Sequence, residues 1–259
     1  MHSFTEMPDV SVAAWHESID AFCRLQDVGH VESGTQGTKS IYSGAPVSVL
    51  NGVISMRRQP DVEEMRFFSE PFRDCALPWS IQTRGDGQHA EAIRQLAGEY
   101  GLTQCMALPF MTKRLDRAEA PVGSDGRVVV RRVAAADSER YNSALAAGYD
   151  APEQVFRRLS APGVLEADGM MGFLVEYAGI PVATSFGILC NDQVGVFNVS
   201  TLPAYRRRGY ARAATRAVLT AACANGAHTA FLHCTPAGRH VYESIGFAVR
   251  EEWQVYVGQ

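Results

Sequence analysis

The chain has 259 residues, 46% apolar and 20% charged, with 24 Lys and Arg against 28 Asp and Glu for a net charge of −4. That balance describes an ordinary globular protein with enough chain for a substantial core, in one large domain or two small ones. A pI near 6.0 argues against a dedicated nucleic-acid binder, which would carry a strongly basic domain. The opening "MHSFTEMPDVSVAAWHESID" has no basic region leading into an apolar run, so no signal peptide is expected. No segment approaches the roughly 18 apolar residues of a membrane span. Six scattered cysteines without a C-x-x-C pair read as reduced, mostly buried thiols of a cytoplasmic protein, with neither a disulfide frame nor a metal site expected.

In chain order, the apolar spacing of "SVAAWHESIDAFCRL" predicts a helix, and "VSVLNGVISM" a strand pair turned at Asn51-Gly52. A helix over "DVEEMRFFSEPFRD", a strand over "PWSIQTR", a helix over "GQHAEAIRQLAGEYG" and a strand over "TQCMALPFM" follow. The stretch "DRAEAPVGSDGR", residues 116 to 127, favours turns and offers little to bury. The expected organisation is an N-terminal lobe over 1–115, a linker over 116–126 and a second domain over 127–259.

Beyond that seam, "RVVVRRVAA" reads as a strand and "DSERYNSALAAGY" as a helix capped by Asp137 or Ser138. A second short helix starts at Pro152. "GFLVEYAG", "PVATSFGILCND" and "QVGVFNVST" form an antiparallel meander. A helix ending at Asn225-Gly226, a strand over "TAFLHC", a helix ending at Gly246 and a strand over "FAVREEWQVYV" complete the chain. The fold class is α/β of the α+β type, a mixed, largely antiparallel central sheet flanked by helices.

One stretch stands out. Arg206, Arg207, Arg208, Arg212 and Arg216 crowd the entry to an alanine-rich helix in a net acidic chain. A helix N-terminus exposes backbone N–H groups and the positive end of the macrodipole, a natural anion site. Gly209 permits close backbone approach, Ala211 keeps the first turn slim, and Arg208, Arg212 and Arg216 share one helix face. On charge alone, a solvated helix face explains the cluster as well.

The pattern Arg206-x-x-Gly209-x-Ala211 after "VFNVSTLP" resembles the R/Q-x-x-G-x-G/A segment of the GCN5-related N-acetyltransferase (GNAT) superfamily. "LHCTPAGRHVYESIGF", about 30 residues further on, resembles that superfamily's later segment, here ending in Tyr242, Gly246 and Phe247. The resemblance covers roughly 127–259. The outline strand–"RGDGQ"–helix–Gly–strand in the first half echoes strand–"RRRGYA"–helix–Gly–strand in the second. The N-terminal half is accordingly expected to be a degenerate GNAT-like lobe, and Asp86 at its turn speaks against CoA binding there.

The resemblance implies acetyl-CoA as co-substrate, no metal, and direct transfer to an amine in a ternary complex. It implies a splayed strand at Asn198, Val199, Ser200, Thr201 and Leu202, with Val199, Ser200 and Thr201 beside pantetheine. An N–H near Leu202 would polarise the thioester carbonyl. The backbone of Arg207, Arg208, Gly209, Tyr210, Ala211 and Arg212 would hold the pyrophosphate. Thr235 and Gly238 would lie beside the cofactor, although Thr235 before Pro236 also reads as a plain helix cap. Tyr242 would protonate the leaving thiolate, with a core tyrosine as the plain alternative.

Gly195 stands where many relatives carry a basic glutamate. Deprotonation is then expected through a water held by Asn198, Ser200 or His233, or the acceptor arrives neutral. His233 as the base itself and Cys234 as a nucleophile are weaker candidates, a core histidine being the plain reading of His233. The expected acceptor is a small-molecule amine, a protein lysine or N-terminus its rival, and a non-catalytic acyl-CoA-binding or sensing protein the alternative from another class. No nucleic-acid or membrane partner is expected, and a homodimer is left open.

Overall fold

The computed structural model describes residues 7–85, 89–115 and 126–258. The first half contains α1 (Met7–Arg24), β1 (His30–Ser33), β2 (Thr38–Tyr42), β3 (Asn51–Ser55), α2 (Val62–Ser69), β4 (Ser80–Arg84), α3 (Ala90–Glu99) and β5 (Gln104–Arg114). The second contains β6 (Val128–Arg132), α4 (Ser138–Tyr149), α5 (Glu153–Phe156), α6 (Pro162–Leu165), β7 (Met170–Tyr177), β8 (Ile180–Cys190) and β9 (Gln193–Thr201). It closes with α7 (Tyr210–Ala224), β10 (Thr229–His233), α8 (Arg239–Glu243) and β11 (Ala248–Val257). The class is the expected one: mixed, largely antiparallel strands flanked by helices.

Two compact units interleave along the chain. Among the described residues, one holds the chain up to Ser18, Thr112–Leu232 and His240–Ala248; the other holds Ile19–Met111, His233–Arg239 and the chain from Val249. Chain order alone therefore does not give the units, because β11 leaves its sequence neighbours to pair antiparallel with β4, Trp253 opposite Arg84. The expected linker 116–126 lies, apart from Gly126, outside the described residues.

In the unit built on the first half, β1, β2 and β3 pair antiparallel and β3 pairs parallel with β4. The expected hairpin at Asn51-Gly52 is not there. Both residues open β3, whose partner is β2, with Ile41 opposite Gly52. Asn51 is fully buried, and its side-chain amide donates to the carbonyls of Ala45, Val47 and Pro78 while its oxygen accepts from the Ser43 N–H. An amide that stitches a loop looks, in sequence, like one that makes a turn. Gly52 has φ +119, and a Cβ there would sit 2.0 Å from the Ser80 carbonyl oxygen, so it permits the close β3–β4 approach. α2 and α3 bury Met65, Phe68, Ile93 and Leu96 with Val53, Trp79 and Ile81 in one core.

In the other unit β6, β7, β8 and β9 pair antiparallel, and β9 pairs parallel with β10. Alternation along the strands puts α4 and α7 on opposite faces. Thr184 and Ser200 meet the α4 side, where a Cβ on Gly148 would strike the Ser200 hydroxyl at 2.2 Å. Ser185 and Gly187 meet α7, through a Ser185 bond to the Ala214 carbonyl and a close approach to Val218. Asp137 precedes α4 without capping it by its side chain. Its carboxylate instead binds Arg131, which holds its pKa down at about 2. Ser138 donates to the Ser160 carbonyl.

The same plan recurs in both units. Three antiparallel strands lead through a helix into a strand parallel to the third: β1-β2-β3, α2, β4, and β7-β8-β9, α7, β10. The counterpart of α7 is thus α2, where the sequence outline had matched α3. Asp86, on which that outline relied, lies outside the described residues. The start of α2 is closed to anions for a different reason. Asp61 caps it with its own carboxylate, which accepts from the Glu64 N–H, and Glu63 and Glu64 occupy the first turn.

Candidate active site

β9 and β10 pair only over Gln193–Gly195 and Thr229–Phe231, so β9 runs on from Val196 without that neighbour. On its other side, its register with β8 shifts between Thr184 and Phe186, and Asn198 takes φ +50: a β-bulge at Asn198–Val199. The Leu202 N–H, expected to face the thioester, donates instead to the Val182 carbonyl at 3.0 Å. In an antiparallel ladder, successive amides alternate sides. The amide facing the splay is therefore that of Thr201, and next to the bulge that of Val199. Thr201 Oγ1 is buried and has no hydrogen-bond partner among the described residues.

From Thr201 the chain passes the turn Pro203–Tyr205 and reaches α7 through Arg207 at φ +61 and Gly209 at φ +84. Left-handed residues in such a turn aim successive N–H groups into a shared concavity. Arg207, not a glycine, adopts this conformation at a cost of about 1 kcal/mol or more. Gly209 is the N-cap, and the first intrahelical bond runs from the Ala213 N–H to its carbonyl. The N–H groups of Tyr210, Ala211 and Arg212 are thereby left for another acceptor.

Beside them lies a cleft of about 220 Å³ lined by Val128, Arg208, Gly209, Tyr210, Arg212, Ala213 and Arg216. Among the described residues, no carboxylate pairs with Arg207, Arg208, Arg212 or Arg216. Arg208 lies over the Tyr205 ring at 5.4 Å. The Tyr210 side chain points inward, packed with Tyr177 and Tyr205, so only its backbone bears on the cleft.

Arg206 behaves differently from its neighbours. Its guanidinium donates to the Thr201 carbonyl at 3.2 Å and the Gly148 carbonyl at 3.0 Å, joining the end of β9 to the end of α4. The Ser200 hydroxyl is buried against α4 and shares a hydrogen bond with Thr184, so it holds no water for the reaction and does not face the splay. Val199 accepts from the Tyr149 hydroxyl at 3.3 Å, and the Asn198 side chain lies close to the Tyr141 hydroxyl.

Gly195 has no room for a side chain. A Cβ would meet the Phe197 ring at 2.5 Å and that of Phe231 at 2.8 Å. Tyr242 on α8 is buried, its ring edge-on to Phe247 at 6.0 Å. Thr235 and Gly238 belong to the other unit, where the Thr235 hydroxyl accepts from the Gly238 N–H at 3.2 Å, a short cap. His233 also belongs there, edge-on to Trp253 at 4.6 Å and to Phe110 at 5.1 Å. Burial holds its imidazole down at about 3, too weakly basic to serve as a general base at neutral pH. Cys234 is buried with its thiol on the Met111 sulfur. All six cysteines are free. No helix among the described residues is long and apolar enough to cross a membrane.

A parallel strand pair that splays beside a bulge and leads to an arginine-rich helix N-terminus is thus set in an α+β fold. The acetyltransferase (GNAT) family model matches residues 138–247. The fold is similar to a GCN5-related N-acetyltransferase from Kribbella flavida (TM-score 0.66, 17% identity, 97% of this chain and 95% of that one). It is also similar to a conserved protein of unknown function from Staphylococcus epidermidis (0.66, 10%, 92% and 96%). A third similar structure is a GCN5-related N-acetyltransferase from Sphaerobacter thermophilus (0.60, 14%, 86% and 80%). At these identities the likeness is one of fold. No curated protein matches the chain.

Proposed function

We propose that this protein transfers an acetyl group from acetyl-CoA to an amine, with a small-molecule primary amine as the acceptor class and transfer direct within a ternary complex. The observation that carries the reading is the arginine-lined cleft at the start of α7, with Gly209 left-handed and three helix N–H groups available to it. Pyrophosphate fits that combination of backbone donors and unneutralised guanidinium groups. The Thr201 amide and hydroxyl suit the pantetheine arm and the thioester oxygen better than the Leu202 amide does. The amine nitrogen bonds to the acetyl carbon and gives up a proton to water, the carbon–sulfur bond breaks, and Tyr242 gives its proton to the thiolate and regains one from solvent. The setting of this chemistry is the cytoplasm.

One observation favours a second reading, acyl-CoA binding without catalysis: Gly195 excludes a strand carboxylate and His233 is too weakly basic to replace one. The Asn198 side chain, on the bulge, is the remaining candidate to hold a water. A thiol-release assay with acetyl-CoA and a panel of small amines, lysine peptides and N-terminal peptides separates the readings. The acetyltransfer reading expects release above hydrolysis with at least one small amine. Release only with peptides moves the acceptor class to protein, and tight CoA binding without release under any amine overturns catalysis.

A further inference from the structure

Four consecutive residues of β9 are each held from the direction of α4. Tyr141, fully buried, donates its hydroxyl to the Ser185 carbonyl at 3.1 Å, with the Asn198 side chain close to that hydroxyl. Ser185 is the β8 residue at the register shift, so both sides of the bulge meet at one phenol. Tyr149, half exposed and stacked on Phe156 at 5.2 Å, donates to the Val199 carbonyl. Gly148 packs against Ser200, and Arg206 ties the Gly148 carbonyl to that of Thr201. Thr184 completes the set by donating to the Asn198 carbonyl at 2.7 Å.

A non-glycine residue at φ +50 costs roughly 1 kcal/mol and persists only where its surroundings impose it. Packing alone explains Gly148 and Ser200. It does not explain two phenols on one helix, one giving its hydroxyl to Ser185 opposite the bulge and the other to Val199 within it. The bulge sets where the Val199 and Thr201 amides point, and a donor displaced by a fraction of an ångström loses much of its effect on a thioester carbonyl.

We infer that Tyr141 and Tyr149 are positioning residues for acyl transfer, fixing the Asn198–Val199 bulge so that the amides facing the splay are aimed at the thioester. The inference rests on the acetyl-CoA reading above and goes beyond it by assigning work to α4. Neither tyrosine touches the reacting atoms. Their removal leaves the phosphate seat at α7 intact.

The test uses the full chain with acetyl-CoA carrying carbon-13 at its carbonyl, read by infrared difference spectroscopy. In the parent protein the thioester carbonyl band lies below its position in free acetyl-CoA. Tyr149→Phe moves the band back toward the free value and lowers turnover by roughly three- to tenfold, the worth of one hydrogen bond. Its melting temperature and its affinity for CoA stay unchanged. Tyr141→Phe does the same more strongly; if it fails to fold, Tyr149→Phe on the exposed rim decides alone. A band unchanged in Tyr149→Phe overturns the inference while leaving the acetyl-CoA reading standing. No binding of acetyl-CoA by the parent protein overturns both.

Discussion

A Cβ at position 195 would lie 2.5 Å from the ring of Phe197, two residues along the same strand. The absence of a carboxylate at this point is therefore built into the packing. Phe197 and Phe231 fill the space that a glutamate side chain would need. Gly195→Glu should not restore a general base. Overpacking costs about 1–3 kcal/mol, and an unpaired carboxylate between two rings adds several more. The expected result is a lowered urea midpoint with no gain in thiol release at any pH. A folded, more active variant would show that the strand has room.

Tyr242→Phe removes only the hydroxyl from a buried ring. Turnover should fall by about a hundredfold, the scale of one general acid, with CoA affinity within twofold of the parent. Steady-state kinetics and calorimetry on the same preparations check this. Unchanged turnover would return Tyr242 to the core.

Arg206 carries the family pattern, yet its guanidinium serves two carbonyls. Arg206→Ala should lower stability by about 0.5–1.5 kcal/mol, removing a charged donor from one exposed and one part-buried carbonyl. CoA affinity should suffer less than in Arg212→Ala, whose guanidinium lines the cleft. The opposite ranking in a pair of titrations would place Arg206 on the phosphates.

His233 gives the fold an acid sensitivity with a definite window. The unfolded chain takes up a proton near pH 6.5, which the folded chain resists until about 3. Its contribution is complete above pH 6.5 and is lost as the pH falls toward 3. Asp137, held at about 2, contributes above pH 4 and is lost only below it. Urea unfolding at pH 7.0 and 5.0 should show a drop in the parent that is smaller in His233→Leu. Equal drops would mean that the imidazole is not kept neutral by the fold.

The second half was legible because its signals are local. Gly209, Asn225 and Gly226 bracket α7, and the meander, the turn and "YESIGF" follow in the order their strands and helices need. The first half was harder. β1 and β2 were not foreseen, and Asn51-Gly52 reads as a turn until Pro78 and Ser80, far along the chain, are seen to demand that amide and that glycine. The exchange of β11 into the other unit depends on long-range pairing that no local pattern encodes. At the site, residue identity drew attention to β9 and the arginine turn. Which amide faces the splay depended on ladder alternation, and the bond from Leu202 to Val182 reverses the sequence expectation.

The central claim is that the turn into α7 is a seat for the phosphates of acetyl-CoA. Isothermal titration of acetyl-CoA into the parent protein and Gly209→Val tests it most directly. Gly209 sits at φ +84, where a β-branched residue is strained and covers the amides the phosphates would use. The account predicts one-to-one binding by the parent, weakened by raised salt, and a loss of at least about tenfold in a variant that remains folded, the equivalent of ~1.4 kcal/mol. Equal affinity in parent and variant, or no binding by the parent, would contradict it.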